Sequence, residues 1–235
     1  MFFMNETVHK LKNGMAVLYL DTEMSTVQWV ERFLAHWTGI PVQNLKLKTY
    51  EDDMEMESKI DEAYDFLSKA KFSHIYEPNW THEKILTTAK IFQRKVGLDL
   101  MIYDYIKVSN TSNTEQAEHN VLGDMTNFLK NQIAGKLNIP VLAGGQMSPK
   151  EFRLADSDKI NRYASVIAYW SKKDAKELQK DGRDGGTHKI FIDYNRLGKQ
   201  MFDDEYINMY FDGDICDIKQ ARMQNNIEND GFEKK

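Results

Sequence analysis

The sequence is poor in cysteine and lacks any long apolar run. Cys216 is its only cysteine, which excludes an intramolecular disulfide framework and predicts a reducing, cytoplasmic environment. No apolar run approaches the length of a membrane-spanning helix, and the N-terminus lacks the pattern of a signal peptide. These absences predict a soluble protein of the cytoplasm that has no membrane partner.

An excess of positive charge is also absent. The formal net charge is -5, so no global field attracts nucleic acid, and any contact with DNA would need local basic loops. The histidines show no metal-ligand spacing, and we assign them no metal. No internal repeat is present. The sequence therefore excludes a basic nucleic-acid-binding protein and a repeat protein.

The order of apolar segments indicates an α/β fold. With 235 residues and 41% hydrophobic residues, the chain suits one domain or, as an alternative, two small ones. Strands and helices alternate over the first two-thirds, and strands alone follow, which predicts a mostly parallel sheet flanked by helices with an antiparallel C-terminal edge. Residues 171–186 are predicted to be a hairpin or a flexible loop, and residues 219–235 a polar, flexible tail.

Polar side chains follow three of the predicted strands. The run Ala16–Leu20 stops at Asp21-Thr22-Glu23, the run Leu98–Tyr105 carries Asp104 at its end, and the run Pro140–Gly145 is followed by Gln146. Because parallel strands place their carboxyl ends on one side of a sheet, these residues could converge. An apolar strand that ends in aspartate suits a Walker B position, where the carboxylate helps to hold Mg²⁺ beside phosphates. Glu23 could then orient an attacking water, and Gln146 could sense a γ-phosphate.

A simpler interpretation of the first of these strand ends stays open. Asp21 could cap the turn that follows the strand, and Glu23 could be a solvated acid in the first turn of the next helix.

These segments resemble the RecA-like motor domain of DnaB-type replicative helicases, including phage versions. Val17–Ser25 is similar to the strand that ends in the family's catalytic glutamate, and Leu100–Tyr105 is similar to its Walker B strand. Asn195-Arg196-Leu197-Gly198 resembles the late Arg-x-Gly signature. The helix and strand of a further motif are matched by Leu129-Lys130, Leu137, Ile139–Val141 and Gly145-Gln146. Order and spacing agree from Met1 to about Phe211.

The resemblance implies a RecA-like P-loop NTPase core that unwinds duplex DNA by moving along single-stranded DNA. Glu23 would be the water-orienting carboxylate, Asp104 would hold Mg²⁺ with the nucleotide, and Gln146 would contact ATP. Arg196 would reach the nucleotide of a neighbouring subunit in a homo-oligomeric ring, a hexamer in this family. A primase or a helicase loader is the further partner that the resemblance suggests, in a bacterial or phage-infected cell.

Four basic residues lie in or beside the segments that project toward DNA in RecA-like rings. Lys107, Lys150, Arg153 and Lys159 could contact DNA phosphates. Acidic residues are interspersed among them, so ordinary loop solubility is an equal alternative.

The sequence also departs from the family pattern. It contains no Gly-x-x-x-x-Gly-Lys-Ser/Thr motif, and its Gly-Gly pairs at 144–145 and 185–186 lack the Lys-Ser/Thr context. We therefore expect residues 1–218 to be a motor domain that lacks the P-loop, the first strand and the family's N-terminal domain. Tyr194 stands where the family usually has lysine, and residues 155–158 replace its Arg-Glu-Ser-Gly pattern. The isolated chain is not expected to hydrolyse ATP.

Two other functions remain open. The chain could be a P-loop-less, non-enzymatic relative that joins or regulates helicase rings. It could also be another RecA-family ATPase, of the recombinase or clock type. For Arg196, the alternative role is that of a surface arginine in a hairpin.

Overall fold

The computed structural model describes residues 1–107, 115–145, 157–202 and 205–221, with side chains described except at 115–120 and 157–159. The chain forms two compact units. The first contains Met1–Ala164 and Asp214–Cys216, and the second contains Ser165–Gly213 and the residues from Asp217 onward. Among the described residues, no helix is long and apolar enough to cross a membrane.

The first unit is a four-stranded parallel sheet with helices. Its elements in chain order are α1 (Phe2–Lys12), β1 (Val17–Asp21), α2 (Thr26–Thr38), α3 (Val42–Leu47), α4 (Met54–Lys69), β2 (Phe72–Tyr76), α5 (His82–Val96), β3 (Leu100–Ile106), α6 (Glu115–Phe128), a π-helical segment (Leu129–Gly135), β4 (Val141–Gly145) and α7 (Ser157–Tyr163). The strand order is β2-β1-β3-β4, and all three strand pairs are parallel. The predicted parallel sheet is therefore confirmed.

Local chemistry sets the start and the end of α2, the helix that follows β1. The Ser25 hydroxyl accepts a hydrogen bond from the Gln28 amide at 3.3 Å, and the Gln28 side chain accepts one from the Ser25 amide at 3.1 Å. This reciprocal capping satisfies two donors that a helix start leaves open. Gly39 ends the helix with a φ of 75°, a conformation that glycine adopts without strain. Ser25 and Gly39 are therefore the N-cap and C-cap of α2.

The core of the first unit surrounds β1, whose five residues are all buried. On one face of the sheet, Val17 and Tyr19 pack with residues of α1 and α2 that include Trp29 and Phe33. The Trp29 and Phe33 rings are stacked with their centres 5.7 Å apart. Because β1 lies between two other strands and beneath these helices, its carboxyl end is held firmly in place.

The second unit is a four-stranded antiparallel sheet. Its elements are β5 (Val166–Lys172), α8 (Ala175–Asp181), a 3-10 turn (Arg183–Gly185), β6 (His188–Asn195), β7 (Ile207–Asp212) and β8 (Asp217–Gln220). The strands pair in sequence order. The predicted antiparallel strands are confirmed, but in the described residues they bond to one another in a sheet of their own, and do not form the edge of the parallel sheet.

Two details of the second unit differ from the sequence prediction. The segment 171–186 contains α8, so its prediction as a hairpin or flexible loop was wrong. The Asp174 carboxylate accepts hydrogen bonds from the amides of Lys176 and Glu177, and Glu177 bonds back to the Asp174 amide. That capping box starts a helix where net polarity suggested a loop. Strand β8 extends to Gln220, within the predicted tail, and residues 222–235 lie outside the described residues.

Candidate functional site

The carboxyl ends of β1 and β3 bring together three acidic residues. In the parallel register of these strands Asp21 pairs with Asp104, and Glu23 follows two residues after Asp21. Thr22 joins the two strand ends: its amide donates to the Asp104 carbonyl at 2.9 Å, and its hydroxyl accepts from the Tyr105 amide at 3.3 Å. Thr22 is buried. The backbone that carries Glu23 is therefore fixed to the backbone that carries Asp104.

Asp21 has a structural role in this arrangement. One carboxylate oxygen accepts hydrogen bonds from the amides of Glu23 and Met24, at 2.8 and 2.7 Å. The other oxygen lies 3.3 Å from Nε2 of His74, and the side chains of Asp21 and His74 are each only 1% exposed. On the far side of the ring, His74 Nδ1 is 3.0 Å from the Thr26 hydroxyl. Asp21 thus caps the turn that carries Glu23, in agreement with the simpler interpretation of that residue.

Glu23 points away from the core, with 55% of its side chain exposed. Its Oε1 atom accepts a hydrogen bond from the Tyr105 hydroxyl at 2.8 Å and lies 4.0 Å from Nζ of Lys107. The Lys107 ammonium also donates to the Thr22 carbonyl at 2.6 Å. The Tyr105 hydroxyl and the Lys107 ammonium therefore both contact the turn that carries Glu23. The position of Lys107 in the sequence did not predict this contact.

Asp104 is the more enclosed carboxylate. The hydroxyl of Tyr19, on β1, donates to its Oδ2 atom. Burial raises the pKa of Asp104 above its usual range. The Tyr19 hydrogen bond and the N-terminal ammonium oppose this rise, and the nearby Asp21 and Glu23 carboxylates add to it. Burial and the bond to Glu23 raise the pKa of Tyr105 to about 12. The tyrosine therefore stays a hydrogen-bond donor at neutral pH.

The remaining residues predicted for this site fall largely outside the described part of the chain. Gln146, Lys150 and Arg153 lie outside the described residues. Lys159 falls in α7, at a position where only the backbone is described. The structure therefore brings together Glu23, Asp104 and Lys107 from the predicted set.

Arg196 belongs to the second unit, on the exposed turn that follows β6. Its amide donates to the Ser165 carbonyl at 2.8 Å. Its Nε atom donates to the Tyr194 hydroxyl at 3.2 Å, with the guanidinium 5.9 Å from the centre of that ring. Asn195 folds the turn by accepting from the Leu197 amide at 3.0 Å and donating to the Lys199 carbonyl at 3.1 Å. The arginine is therefore presented on an internally hydrogen-bonded turn.

Sequence reasoning missed the residues that support the two carboxylates. His74 was considered only as a metal ligand, and Tyr19 only as part of an apolar run. One signal was available for Tyr19. Residues two apart on a strand lie on one face of the sheet, so Tyr19 shares its face with Asp21, the acid at the end of the strand. No comparable signal pointed to His74, since its contact depends on β2 being the neighbour of β1.

Solved structures share this fold. A structure described as an "ATPase Domain" superposes with a TM-score of 0.77 at 16% identity, over 94% of this chain and 80% of that chain. A DnaB-like replicative helicase, described with its interactions with primase, gives a TM-score of 0.75 at 16% identity, over 92% of this chain and 53% of that one. This likeness confirms the predicted RecA-like α/β fold.

The family model described as "DnaB-like helicase C terminal domain" matches residues 1–219. The chain therefore belongs to the DnaB-like helicase C-terminal domain family, and the resemblance read from the sequence is confirmed.

Curated relatives carry helicase names. A "Probable plasmid replicative DNA helicase" of Chlamydia trachomatis serovar L2 is 27% identical over 169 residues, which cover 67% of this chain and 36% of the relative. The "Replicative DNA helicase DnaB" of Leifsonia xyli subsp. xyli is 20% identical over 203 residues, covering 80% of this chain and 42% of the relative. The chain thus spans about two-fifths of the length of these relatives.

Proposed function

We propose that the chain is part of an ATP-dependent replicative DNA helicase that unwinds duplex DNA by moving along single-stranded DNA. One observation supports this most strongly. In a chain of the DnaB-like family, Glu23 and Asp104 stand at the ends of two paired parallel strands. That is the edge at which open α/β sheets bind ligands. We assign the protein to the cytoplasm of a bacterial or phage-infected cell.

In this proposal the two carboxylates have different roles. The Glu23 carboxylate is exposed and accepts a hydrogen bond, so it can orient a water molecule for attack on a phosphate. Asp104 would help to hold Mg²⁺, because carboxylate oxygens are the ligands that this ion prefers. When bound, Mg²⁺ neutralises negative charge on the phosphates of ATP.

Among the described residues no group of three or more His, Cys, Asp or Glu side chains could hold a metal. Gln146 is proposed to sense the γ-phosphate.

Arg196 is proposed to act on the nucleotide of a neighbouring subunit in a hexameric ring. Its exposed position on a hydrogen-bonded turn suits a side chain that must reach another subunit with little loss of conformational freedom. An arginine that stabilises the transferring phosphoryl group contributes roughly 10³–10⁵ in rate. Loss of Arg196 should therefore abolish turnover without unfolding the subunit.

Single-stranded DNA and a replication protein are the proposed partners. Lys107, Lys150, Arg153 and Lys159 would contact phosphates, which would make DNA binding weaken as salt is raised. Because the Lys107 ammonium already donates to the Thr22 carbonyl, its contact with DNA would be linked to the Glu23 turn. A primase or a helicase loader is the proposed protein partner, since a similar structure is described with primase.

A second function is favoured by one specific observation. The 235 residues contain no Gly-x-x-x-x-Gly-Lys-Ser/Thr motif, whose amides and lysine hold the phosphates of ATP in P-loop enzymes. A chain without it could act as a non-enzymatic subunit or regulator of helicase rings. The coding sequence directly upstream of Met1 separates the two proposals.

We expect that sequence to continue in frame and to encode the missing motif. The longer polypeptide should then hydrolyse ATP in a DNA-stimulated reaction, and Glu23→Gln should lower its kcat at least about 100-fold. Glu31→Gln, in the helix that follows the same turn, is the matched control and should leave kcat unchanged. An in-frame stop codon directly upstream, or a longer polypeptide without DNA-stimulated turnover, would contradict the motor proposal and favour the regulator.

A further inference from the structure

The two proposed catalytic carboxylates are held in a crosswise pattern. Tyr19 lies on β1 and donates its hydroxyl hydrogen bond to Asp104 on β3. Tyr105 lies on β3 and donates its hydroxyl hydrogen bond to Glu23, which follows β1. Each acid is therefore bonded to a tyrosine that belongs to the other strand.

We propose that Tyr19 and Tyr105 are positioning residues, each of which fixes the oxygen that its partner carboxylate presents to the nucleotide and its water. This inference rests on the proposed roles of Asp104 and Glu23. A carboxylate has two equivalent oxygens and rotates freely in solution. A single donor on one oxygen restricts that rotation and leaves the other oxygen to act, and holding a reactive group in the right geometry lowers the barrier to reaction.

Tyr19 is well suited to this task because its surroundings enclose it. It is completely buried, and its ring lies edge-to-face against Trp29 with the ring centres 6.0 Å apart. Its hydroxyl occupies Oδ2 of Asp104, and in the described part of the chain no donor reaches Oδ1. Oδ1 is thus the atom that Asp104 offers to a cation. The Tyr19 bond also favours the ionised carboxylate against burial.

Tyr105 acts on a more exposed carboxylate and is supported by Lys107, the residue that follows the same strand. Its hydroxyl and the Lys107 ammonium both approach Oε1 of Glu23, at 2.8 and 4.0 Å. Lys107 in addition holds the Thr22 carbonyl at 2.6 Å. Oε2 receives no hydrogen bond from the described residues, and the Glu23 side chain is 55% exposed, so Oε2 is the oxygen that can orient water.

The first test uses the 235-residue chain and NMR of ¹³C-labelled carboxyl groups at one neutral pH. The Glu23 and Asp104 signals are assigned by their loss in Glu23→Gln and Asp104→Asn. Tyr105→Phe should move the Glu23 signal and leave the Asp104 signal in place, and Tyr19→Phe should do the reverse. Tyr103→Phe is the matched control. Tyr103 is a buried tyrosine of β3, the strand that carries Tyr105, and among the described contacts it bonds to neither acid.

The second test measures turnover in the longer, ATP-hydrolysing polypeptide. Each of the Tyr19→Phe and Tyr105→Phe changes should lower kcat about tenfold while KM for ATP changes little, and Tyr103→Phe should behave as the unchanged protein. Carboxyl signals that fail to move in the crosswise pattern would overturn the inference. So would a kcat for either variant equal to that of Tyr103→Phe. If the unchanged polypeptide does not turn over ATP, the proposed function itself fails, and the two failures are thereby distinguished.

Discussion

Asp21 is a buried carboxylate whose hydrogen bonds hold the Glu23 turn in place. Replacing Asp21 with alanine would leave the Glu23 and Met24 amides without their acceptor and would leave His74 buried beside an empty position. We expect Asp21→Ala to lower the free energy of unfolding by about 3 kcal/mol, measured by urea denaturation.

Asp21→Asn is the matched control for that substitution. An asparagine keeps the oxygen that accepts from Glu23 and Met24, so its effect should be clearly smaller. Equal losses for the two variants would show that charge at this position matters more than the two amide hydrogen bonds.

Lys173 is a second buried charge, in the antiparallel unit. Its side chain is 0% exposed and its ammonium donates at 2.6 Å both to Asp181 and to the Gly185 carbonyl. Tyr206 donates to the same Asp181 oxygen at 2.9 Å. Lys173→Met would leave Asp181 without its cation, and we expect a loss of about 3–5 kcal/mol in the free energy of unfolding.

Lys172→Met provides the comparison for Lys173, because Lys172 is its exposed neighbour on β5. A thermal or urea denaturation series should show almost no change for this variant. If Lys173→Met proved as mild, the buried ion pair would contribute little to the second unit.

At the scale of residues, the sequence predicted which acids stand at strand ends but not what holds them. Asp104 and Asp21 could be found because an apolar run that stops at a carboxylate is visible in one dimension. The Tyr19 and Tyr105 bonds could not, because they require β1 and β3 to be adjacent with Asp21 opposite Asp104. Register between strands distant in sequence is a property of the folded sheet.

Close backbone packing explains one glycine in the second unit. Gly186 has a φ of 70°, and a β-carbon there would overlap the Met209 carbonyl oxygen. Gly39 has a φ of 75° with nothing within 4 Å of such a β-carbon. Both alanine variants carry backbone strain of about 1 kcal/mol. Gly186→Ala must also displace β7, so we expect it to cost about 3 kcal/mol in total. Equal effects in urea denaturation would contradict the close approach of β7 to Gly186.

His188 makes the stability of the antiparallel sheet depend on pH. The ring is stacked on Trp170 with centres 5.2 Å apart, and burial, with a smaller effect of Lys172, lowers its pKa below the ordinary value of 6.5. The unfolded chain therefore binds the proton more readily. Stability should be complete above about pH 6.5 and should fall as pH decreases toward the pKa of the folded state.

The variant His188→Phe isolates this effect, because phenylalanine keeps an aromatic ring at the site and cannot be protonated. The free energy of unfolding should fall less between about pH 7.5 and about pH 5.5 in the variant than in the unchanged chain, as followed by urea denaturation at each pH. An identical pH dependence would show that other groups dominate this range.

Element boundaries were predictable where the chain carries local chemical signals. Ser25, Gly39 and Thr81 are residue types typical of helix caps and do cap their helices, since capping depends on a few adjacent residues. Helix α8 was missed although Asp174 and Glu177 form the spacing of a capping box. Its charged composition suggested a loop, and the helix is held by a buried contact to Lys173 that composition does not reveal.

At the scale of the whole molecule, the class of fold was predictable from the sequence, but the division of its strands into two separate sheets was not. Alternating strands and helices indicated a parallel sheet, and successive late strands indicated antiparallel pairing. Whether those late strands extend the first sheet or pair among themselves depends on long-range hydrogen bonds. The described strands form two four-stranded sheets, which a one-dimensional pattern does not distinguish from one larger sheet.

The proposed site makes a prediction about the chain as a whole. The carboxylates that would orient water and hold Mg²⁺ are present, but the sequence lacks the motif whose amides and lysine hold ATP phosphates. Carboxylates alone do not hold a nucleotide in a reactive position, and phosphoryl-transfer catalysis consists mainly of positioning and electrostatic stabilisation. We expect the purified 235-residue chain to hydrolyse ATP at least about 10³-fold more slowly than a polypeptide that also carries the motif. A phosphate-release assay with and without single-stranded DNA measures this.

Glu23→Gln identifies contamination, because trace hydrolysis from another enzyme persists in the variant. DNA-stimulated turnover that Glu23→Gln abolishes would mean that this chain holds ATP by other groups.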